Sequence, residues 1–409
     1  MIPVAGSAYT FTYTTVGEIV AWVIGWDLIL EMLMAGSVVS KYWGVYLNDF
    51  FRLVGWNINT NVTIGSFNFD FVAFFTALLV CGTKIGARVD GALTMLKIAI
   101  VLFVVIVGFF YVKAENFTPF IPPSEPATAT GSGLTATMEQ PLWQWVTGMT
   151  PSIYGIAGII SGAALVFFAF LGFDVVATTS EETVNPKKNV PLGIGVGLGL
   201  IIVLYTLVAI VTTGMVSYKD LAKQSDPSLA VAFKMVGADW AAKIISLGIV
   251  IGMATVVMVL LLGLTRVVFA MSRDGLLPRG LSHTGKHGTP VRLQIIVGVV
   301  MALIAACCNV GILSDMVNIG TLSAFTLVAI SIPIMRKKRP DLERSFKIPG
   351  NPWVPILIAL ANLWLMVNLS VLTWIRFVVW LIVGFAIYFG YGYRHARLGA
   401  GELEVAAQE

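Results

Sequence analysis

Long apolar stretches recur along the whole chain, separated by shorter polar connections. Each is about 20 residues long, the length that an α-helix needs to cross the hydrocarbon core of a bilayer. In lipid, every backbone N–H and C=O group must find a partner within the protein, so spanning segments form helices or closed barrels. Apolar residues make up 57% of the chain and charged residues 12%, against about 25% charged residues in a soluble domain. The sequence therefore predicts an all-α polytopic membrane protein.

Hydropathy gives ten spans. They lie near 18–43, 69–83, 89–112, 151–180, 191–215, 240–271, 291–309, 312–335, 352–373 and 375–393. An even number of spans places both termini on one side of the membrane. Twice as many lysines and arginines lie in the loops and ends of that side as on the opposite side, and such an excess marks the cytoplasm. We therefore expect a multi-pass protein of the cell (plasma) membrane with both termini cytoplasmic. The basic segment 336–347, RKKRPDLERSFK, is the clearest marker.

The polar parts of the chain are too few for a soluble catalytic domain. The longest, loop 113–150, is rich in Pro, Thr and Ser and predicts an irregular connection outside the membrane. The sequence has no glycine-rich phosphate loop, and His283, His287 and His395 have no further metal ligand beside them. Most basic residues lie in loops between spans, a pattern that does not favour nucleic acid binding. We therefore expect no enzyme activity, no cofactor, no metal and no nucleic acid partner.

The span near 151–180 carries a glycine deep in its second half. This is Gly172, and Asp174 follows two positions later. Four phenylalanines surround the glycine: Phe167, Phe168, Phe170 and Phe173. Discontinuous helices form substrate sites in secondary transporters, because freed backbone groups are tolerated only where they line a cavity. The alternative is a continuous helix that tolerates one glycine. The neighbouring aspartate favours a site.

Several charged residues fall within spans, where each is a functional hypothesis because burial at the bilayer centre costs about 2.5–3.5 kcal/mol. Lys97 lies too deep in its span to reach the cytoplasmic edge comfortably. Asp27 and Glu31 are four positions apart and share a helix face. Glu18 has a simpler explanation, because a negative charge is favourable at a helix N-terminus. Arg266 lies near the cytoplasmic end of its span, where snorkelling explains it.

Glycines recur at helical spacing in the sequence GIGVGLG, residues 193–199. The pairs Gly193/Gly197 and Gly195/Gly199 have the small-xxx-small spacing that allows close contact between membrane helices. This pattern predicts packing within the bundle rather than ligand binding.

Four segments carry a family resemblance. They are IPVAGSAYTFTYTTVGEIVAWVIGWDLILE at 2–31, FFAFLGFDVVATTSEETVNPKKNVP at 167–191, TRVVFAMSRDGLLP at 265–278 and NIGTLSAFTLVAISIPIMRKKRPDLERSFKIPG at 318–350. Together they resemble the amino acid–polyamine–organocation (APC) superfamily, and most closely its cationic amino acid transporter branch with bacterial relatives. The resemblance implies two inverted repeats of five helices plus two C-terminal helices. The first helix and most of the second are expected to be missing from this chain.

The resemblance also implies a division of the chain. Residues 1–393 form the transporter domain, and 394–409 form a cytoplasmic tail. Within the domain, 1–112 is the remnant of the first repeat, 113–150 the extracellular loop, 151–335 the second repeat and 352–393 the pair of C-terminal helices.

By resemblance, the interrupted helix binds the substrate. Backbone carbonyls near Phe168, Ala169 and Leu171 are expected to face the ammonium group of an amino acid, and the Phe168 ring is placed like a lid. Asp174 is expected to meet a basic side chain or to orient the unwound backbone. Met258 is expected to line the side-chain end of the pocket and to favour small substrates; ordinary core packing is its alternative role.

The resemblance further implies proton coupling. Lys97 resembles the fifth-helix lysine of proton-coupled bacterial members, and Glu18 resembles a glutamate that begins the third helix of the family. Together these features predict a secondary active permease that takes up L-amino acids by alternating access. The expected partners are the amino acid, the proton and the lipid bilayer. A non-transporting membrane protein, acting as a receptor or assembly subunit, remains the alternative.

Overall fold

The computed structural model describes residues 9, 12–13, 17–56, 61–64, 67–70, 87–126, 138–149, 152–173, 175–178, 183–224, 227–283, 290–338, 340, 348 and 350–396. Its α-helices are α1 (Glu18–Val54), α2 (Ala87–Phe109), α3 (Leu142–Thr147), α4 (Gly155–Val166), α5 (Val175–Thr178), α6 (Pro186–Met215), α7 (Tyr218–Ala222), α8 (Leu229–Met235), α9 (Asp239–Arg273), α10 (Val291–Cys307), α11 (Val310–Lys338), α12 (Trp353–Val367), α13 (Val371–Ile387) and α14 (Tyr393–His395). Tighter 3₁₀ turns lie at Ala114–Phe117, Phe167–Phe170 and Arg279–Ser282, and a π-helical turn lies at Tyr388–Gly392.

Two small pairs of antiparallel strands complete the described structure. Strand β1 (Asn61–Ile64) pairs with β2 (Phe67–Asp70), and β3 (Glu125–Pro126) pairs with β4 (Ser152–Ile153). All of the long elements are helical, so the predicted all-α class is confirmed apart from these short strands.

The described helices agree with most of the predicted spans. Six are long and apolar enough to cross a membrane: α1, α2, α6, α9, α11 and the segment Val371–His395. Three shorter apolar helices accompany them in the described residues, at Gly155–Phe170, Val291–Cys307 and Trp353–Val367. The predicted span at 69–83 begins within strand β2, and its remainder from 71 onward lies outside the described residues.

The end of α12 and the start of α13 differ from the predicted boundaries, and one polar turn explains both differences. The last two spans were expected to meet near residue 374, but α12 ends at Val367 and α13 begins at Val371. Ser370 caps α13 by accepting a hydrogen bond from the Thr373 backbone N–H at 3.2 Å. The expected irregular loop contains helix α3, whose Leu142 N–H donates to the Leu369 carbonyl at 3.0 Å. The polar turn between α12 and α13 therefore also fixes the start of α3.

Helix α1 lies at the centre of the bundle and is buried along most of its length. It packs against α9, α10 and α11. The close approaches pair a glycine on one helix with a long side chain on the other: Gly25 with Met271, Gly36 with Met301, Met32 with Gly263, and Leu30 with Gly320. Small residues let helix backbones approach in a membrane, where dispersion contacts drive association. The pairs also show that α1 and α9 run antiparallel.

Helices α2 and α6 lie at the periphery, and most residues of their apolar stretches are not buried. The glycines of residues 193–199 belong to α6, and a Cβ built on Gly193, Gly195, Gly197 or Gly199 has no atom of a described residue within 4 Å. The predicted packing through these glycines is therefore not seen among the described residues. The tight glycine contacts in the described part of the chain include several on α1 and its neighbours.

Three tryptophans bind α1 to the C-terminal helix. Trp26 stacks on Trp22 with ring centroids 5.6 Å apart, and on Trp380 of α13 at 4.4 Å. Its indole N–H donates to the Trp380 carbonyl at 2.9 Å. A Cβ built on Gly384 of α13 would overlap the Trp26 ring. Because the ring is held on both faces, it has little room to move.

We expect Gly384→Ala to lower the free energy of unfolding by about 1–3 kcal/mol through overpacking against the Trp26 ring. The matched control is Gly193→Ala, which places the same methyl group in open space on α6 and gains helix propensity. Thermal unfolding of both variants in detergent measures the difference. An equal melting temperature in the two variants would show that the Trp26 stack yields easily.

Candidate functional site

The helix that begins at α4 is interrupted around Gly172, as the sequence predicted. Regular α-helix ends at Val166, a 3₁₀ turn covers Phe167–Phe170, and Leu171 is extended with φ −62° and ψ 148°. Gly172 then has φ 100° before α5 resumes at Val175. A Cβ at Gly172 would meet no atom within 4 Å. The glycine is therefore needed for its positive φ, which L side chains rarely adopt, and not for space.

The carbonyl groups freed by this interruption have partners from three sources. The Leu165 carbonyl accepts from the Asn318 side-chain amide of α11 at 3.1 Å. The Ala169 carbonyl accepts from the Tyr205 hydroxyl of α6 at 2.9 Å. The Phe168 carbonyl accepts from the Leu171 backbone N–H at 3.2 Å. Since a carbonyl oxygen has two lone pairs, the Phe168 and Ala169 carbonyls each retain one acceptor position.

Asn318 and Tyr205 were not among the residues predicted from the sequence. Asn318 is fully buried in the middle of an apolar helix, and an amide in that position requires a partner in lipid. This is the signal that could have identified it. Nothing in the sequence pairs Tyr205 with Ala169, because the contact joins two helices that are distant along the chain.

Aromatic contacts surround the same turn. Phe167 and Phe173 both lie against Phe325 of α11, with ring centroids 6.1 and 5.2 Å apart, and Phe170 lies against Tyr205 at 5.4 Å. The predicted site residues Phe168 and Leu171 lie on the other side of the turn. They pack against a small cluster that contains Ala35 of α1, Leu260 of α9 and Val317 of α11, together with Val256 of α9. Asp174 lies outside the described residues.

Lys97 of α2 contacts α9, the helix that contributes Leu260 to this cluster. Its ammonium group donates to the Thr255 hydroxyl at 2.6 Å, and Thr255 donates to the Gly252 carbonyl at 2.8 Å. The aliphatic stem of Lys97 packs over Gly252, where a built Cβ would lie 2.8 Å from the lysine Cγ. The absence of a side chain at Gly252 therefore makes room for the lysine.

Met258 lies one turn along α9 from Thr255, on the part of the helix that leads to the interrupted segment. Its side chain is 5% exposed and belongs to the main core cluster with residues of α1. The α9 segment 255–260 thus contacts Lys97 at Thr255, and its Leu260 belongs to the small cluster against which Phe168 and Leu171 pack. Met258 belongs to a different cluster, the main core of the bundle.

Glu18 lies far from this region. It begins α1, and one of its carboxylate oxygens accepts from the Tyr388 hydroxyl of the π-helical turn at 2.7 Å. The pairs Gly25/Met271 and Trp43/Val250 give the register of α1 on α9, which places Thr255 opposite residue 39 of α1. At about 1.5 Å per residue, Glu18 is then roughly 30 Å from the level of Lys97. The structure does not bring the two predicted coupling residues together.

A pocket of about 400 Å³ opens at the opposite end of α1 from Glu18. Asp49, Arg52, Gln224 and Lys234 are among the residues that line it. It includes no residue that the sequence predicted for substrate binding. This pocket lies between the end of α1 and helix α8 and is distinct from the interrupted helix.

Comparison with known proteins identifies the family of this chain. The family model described as amino acid permease matches residues 1–390. A branched-chain amino acid permease, BcaP of Bacillus subtilis (strain 168), is 40% identical over 410 residues, which cover 97% of this chain and 81% of that protein. The methylthioribose transporter of the same organism is 39% identical, with the same coverage of 97% and 81%. Cationic amino acid transporter 4 of Homo sapiens is 27% identical and covers 98% of this chain and 79% of that protein.

These findings define a multi-pass membrane transporter, a class without enzyme activity. The chain belongs to the amino acid permease family of the APC superfamily. The resemblance drawn from the four sequence segments is confirmed.

We expect Tyr205→Phe to destabilise the interrupted segment, because it removes the hydroxyl donor to the Ala169 carbonyl and keeps the ring against Phe170. The expected loss is about 0.5–1.5 kcal/mol of unfolding free energy. Tyr218→Phe is the matched control, since the Tyr218 ring contacts Tyr154 but its hydroxyl makes no hydrogen bond to any described residue. Thermal unfolding in detergent compares the two variants. Equal stability would mean that another donor replaces Tyr205.

Proposed function

We propose that this chain transports L-amino acids across the plasma membrane by alternating access, with proton coupling through Lys97. The observation that carries the proposal is the α9 segment 255–260. Thr255 receives the Lys97 ammonium, and Leu260 belongs to the buried cluster against which Phe168 and Leu171 of the interrupted helix also pack. A change of charge at Lys97 can therefore alter the helix that contacts the substrate segment.

The proposed substrate site is the turn around Gly172. The free acceptor positions on the Phe168 and Ala169 carbonyls, with the carbonyl of the extended Leu171, suit the three N–H donors of an α-ammonium group. In the same proposal, the Phe168 ring closes over the bound substrate, and Asp174 orients the unwound backbone or meets a basic side chain. Binding at a helix interruption near the midplane is general among secondary transporters.

The proposed specificity is for small or medium neutral L-amino acids. Met258 is buried on α9, and in this proposal its long side chain occupies space that an extended guanidinium would need. The name of the BcaP relative describes branched-chain amino acids, which are neutral and of medium size. That relative supports a neutral substrate over the cationic substrates named for the more distant human relative.

The proposed coupling step begins with protonated Lys97 held by Thr255. Loss of the proton removes the charge from this hydrogen bond, and charge-assisted hydrogen bonds are roughly twice as strong as neutral ones. The weaker contact frees α2 from α9 and biases the movement between the two access states. Glu18 takes a different part in this proposal: its contact with Tyr388 ties the cytoplasmic start of α1 to the C-terminal helix.

The proposed architecture is the inverted-repeat fold with two additional C-terminal helices. In it, 1–112 belongs to the first repeat, 151–335 forms the second, 113–150 is extracellular, and 352–393 contains the additional pair. Both ends of the chain, including the 394–409 tail, then lie in the cytoplasm. The basic segment 336–347 after α11 supports this orientation.

The direct experiment is uptake of labelled L-amino acids by proteoliposomes that contain the purified chain, with and without an inward proton gradient. Gradient-stimulated uptake of alanine or valine supports the proposal. Binding of amino acids without uptake would favour the alternative, a receptor or assembly subunit. Because the methylthioribose transporter is nearly as similar as BcaP, unlabelled methylthioribose is included as a competitor, and its preferential transport would overturn the assignment to amino acids.

We expect Lys97→Ala to remove the pH dependence of amino acid uptake, because the variant has no ammonium group to bind Thr255. Lys219→Ala is the matched control, since Lys219 of α7 forms an exposed ion pair with Glu125 of β3 at 2.9 Å. The pH profile of uptake is measured for both, and thermal unfolding confirms that each is folded. A pH profile that is the same in folded Lys97→Ala and in the parent would contradict proton coupling at this residue.

We expect Met258→Ser to widen the substrate range toward arginine and to retain alanine, because the change removes bulk and adds a hydroxyl group that can hydrogen-bond. Competition by a panel of L-amino acids against labelled alanine measures the range. Met253→Ser, on the same helix outside the segment 255–260, is the control. If the parent protein already prefers arginine, Met258 is not the size filter.

A further inference from the structure

A second acidic position lies deep in the bundle, apart from the Lys97 contact. Asp27 is on α1, nine positions after Glu18, which corresponds to a depth of about 13 Å at 1.5 Å per residue. Its side chain is 0% exposed. Neither carboxylate oxygen forms a well-aligned hydrogen bond with any described residue, although the Ser323 hydroxyl of α11 lies beside the carboxyl group.

The close approach of α11 isolates Asp27 from water. Gly320 of α11 packs on α1 at this level, where a built Cβ would lie 3.1 Å from the Leu30 side chain and 3.5 Å from the Asp27 backbone carbonyl. Leu30 belongs to an apolar cluster with Ile319 and Leu322 of α11. The interface around Asp27 therefore offers almost no polar compensation.

No charged side chain among the described residues compensates a negative charge on Asp27. On α1 the nearest titratable neighbour is Glu31, one turn along and 1% exposed. On α9 the charged residue at this level is Arg266, and neither oxygen of the Asp27 carboxyl group has a hydrogen-bond partner among the described residues.

The remaining elements that pack here present neutral groups. On α11 these are Asn318, Thr321 and Ser323; Asn318 donates to Leu165, and the Thr321 hydroxyl donates to its own helix at Val317. On α13 the facing side chain is the Trp380 ring, which stacks on Trp26. An ionised carboxylate in this environment would be buried without a compensating partner, which costs much more than burying a neutral acid.

We propose that Asp27 is a proton-binding site inside the membrane, separate from Lys97, and that its carboxyl group holds a proton in this conformation. A neutral carboxylic acid needs little compensation and can donate to the neighbouring Ser323 hydroxyl. Ser323 is itself only partly buried, so it provides a path by which the proton can enter or leave. Proton binding at Asp27 does not depend on the proposed transport function. A role of this proton in coupling rests on that proposed function.

The two proton sites lie at different depths. The contacts Gly25/Met271 and Met32/Gly263 place Asp27 opposite residue 268 of α9, whereas Lys97 binds at Thr255. Their levels are then roughly 20 Å apart at about 1.5 Å per residue. Asp27 is at the interface of α1 with α11, and α11 also carries Phe325, which contacts the interrupted helix. Movement of α11 against α1 would expose Asp27 and allow its proton to leave.

Infrared spectroscopy of the full chain at neutral pH tests the proposal without a transport assay. The parent is expected to show the carbonyl stretch of a protonated carboxylic acid, and Asp27→Asn is expected to lose it. Asp220→Asn is the control, because Asp220 is an exposed residue paired with Lys223 at 2.9 Å, and it should keep the band. Absence of the band in the parent, or its persistence in Asp27→Asn, would overturn the proposal.

Two further variants keep the test decisive. If Asp27→Asn does not fold, Ser323→Ala replaces it: loss of the neighbouring hydroxyl should shift the frequency of the band, and an unchanged frequency counts against an acid at this position. Lys97→Ala should leave the band intact. Loss of the band in folded Lys97→Ala would show that Asp27 and Lys97 are one site, whereas failure of transport alone leaves the infrared result unaffected.

Discussion

The whole arrangement depends on the fact that hydrocarbon contains no water to bind a freed backbone group. Interrupting a spanning helix between Val166 and Val175 leaves carbonyls without intrahelical partners, and each must be compensated from elsewhere in the protein. Asn318 of α11 and Tyr205 of α6 supply donors to two of them. The position of both helices beside α4 is therefore a condition for the interruption. In the proposed function, the remaining acceptor positions on the Phe168 and Ala169 carbonyls are the ones that face the substrate ammonium.

Much of this could be predicted from the sequence, because hydropathy and helix-breaking residues act locally. The long helices and the interruption at Gly172 were both readable from residue type and depth. The hydrogen bond from Tyr205 to Ala169 was not, because it joins residues far apart in sequence and its donor is an ordinary interfacial residue type. The glycines of α6 were predicted to pack against a neighbouring helix, and the described residues do not show that contact. Small-xxx-small spacing shows that a helix can pack closely, but not which face meets a neighbour.

The predicted helix boundaries were wrong where a short polar turn interrupts a segment that is apolar almost throughout. Residues 352–393 are apolar almost throughout, so hydropathy placed the division near 374. The structure places it at Asn368–Ser370, because Ser370 can cap α13 and the turn can bind the start of α3. The local signal was Ser370, a residue type favoured at helix N-termini, with Thr373 three positions later. Capping thus determines the boundary where hydropathy is uniform.

Polar groups on the central helices occur at three depths, and each joins a different pair of elements. Glu18 contacts the π-helical turn, Asp27 lies against α11, and the Thr255 level of α9 binds Lys97 of α2. Two charges roughly 20 Å apart interact by only about 0.8 kcal/mol at an effective dielectric constant of 20. Direct electrostatic coupling between Asp27 and Lys97 is therefore weak. Any coordination between them must pass through the rigid contacts of α1 with α9, where glycines and methionines interlock and a shift at one level displaces the other.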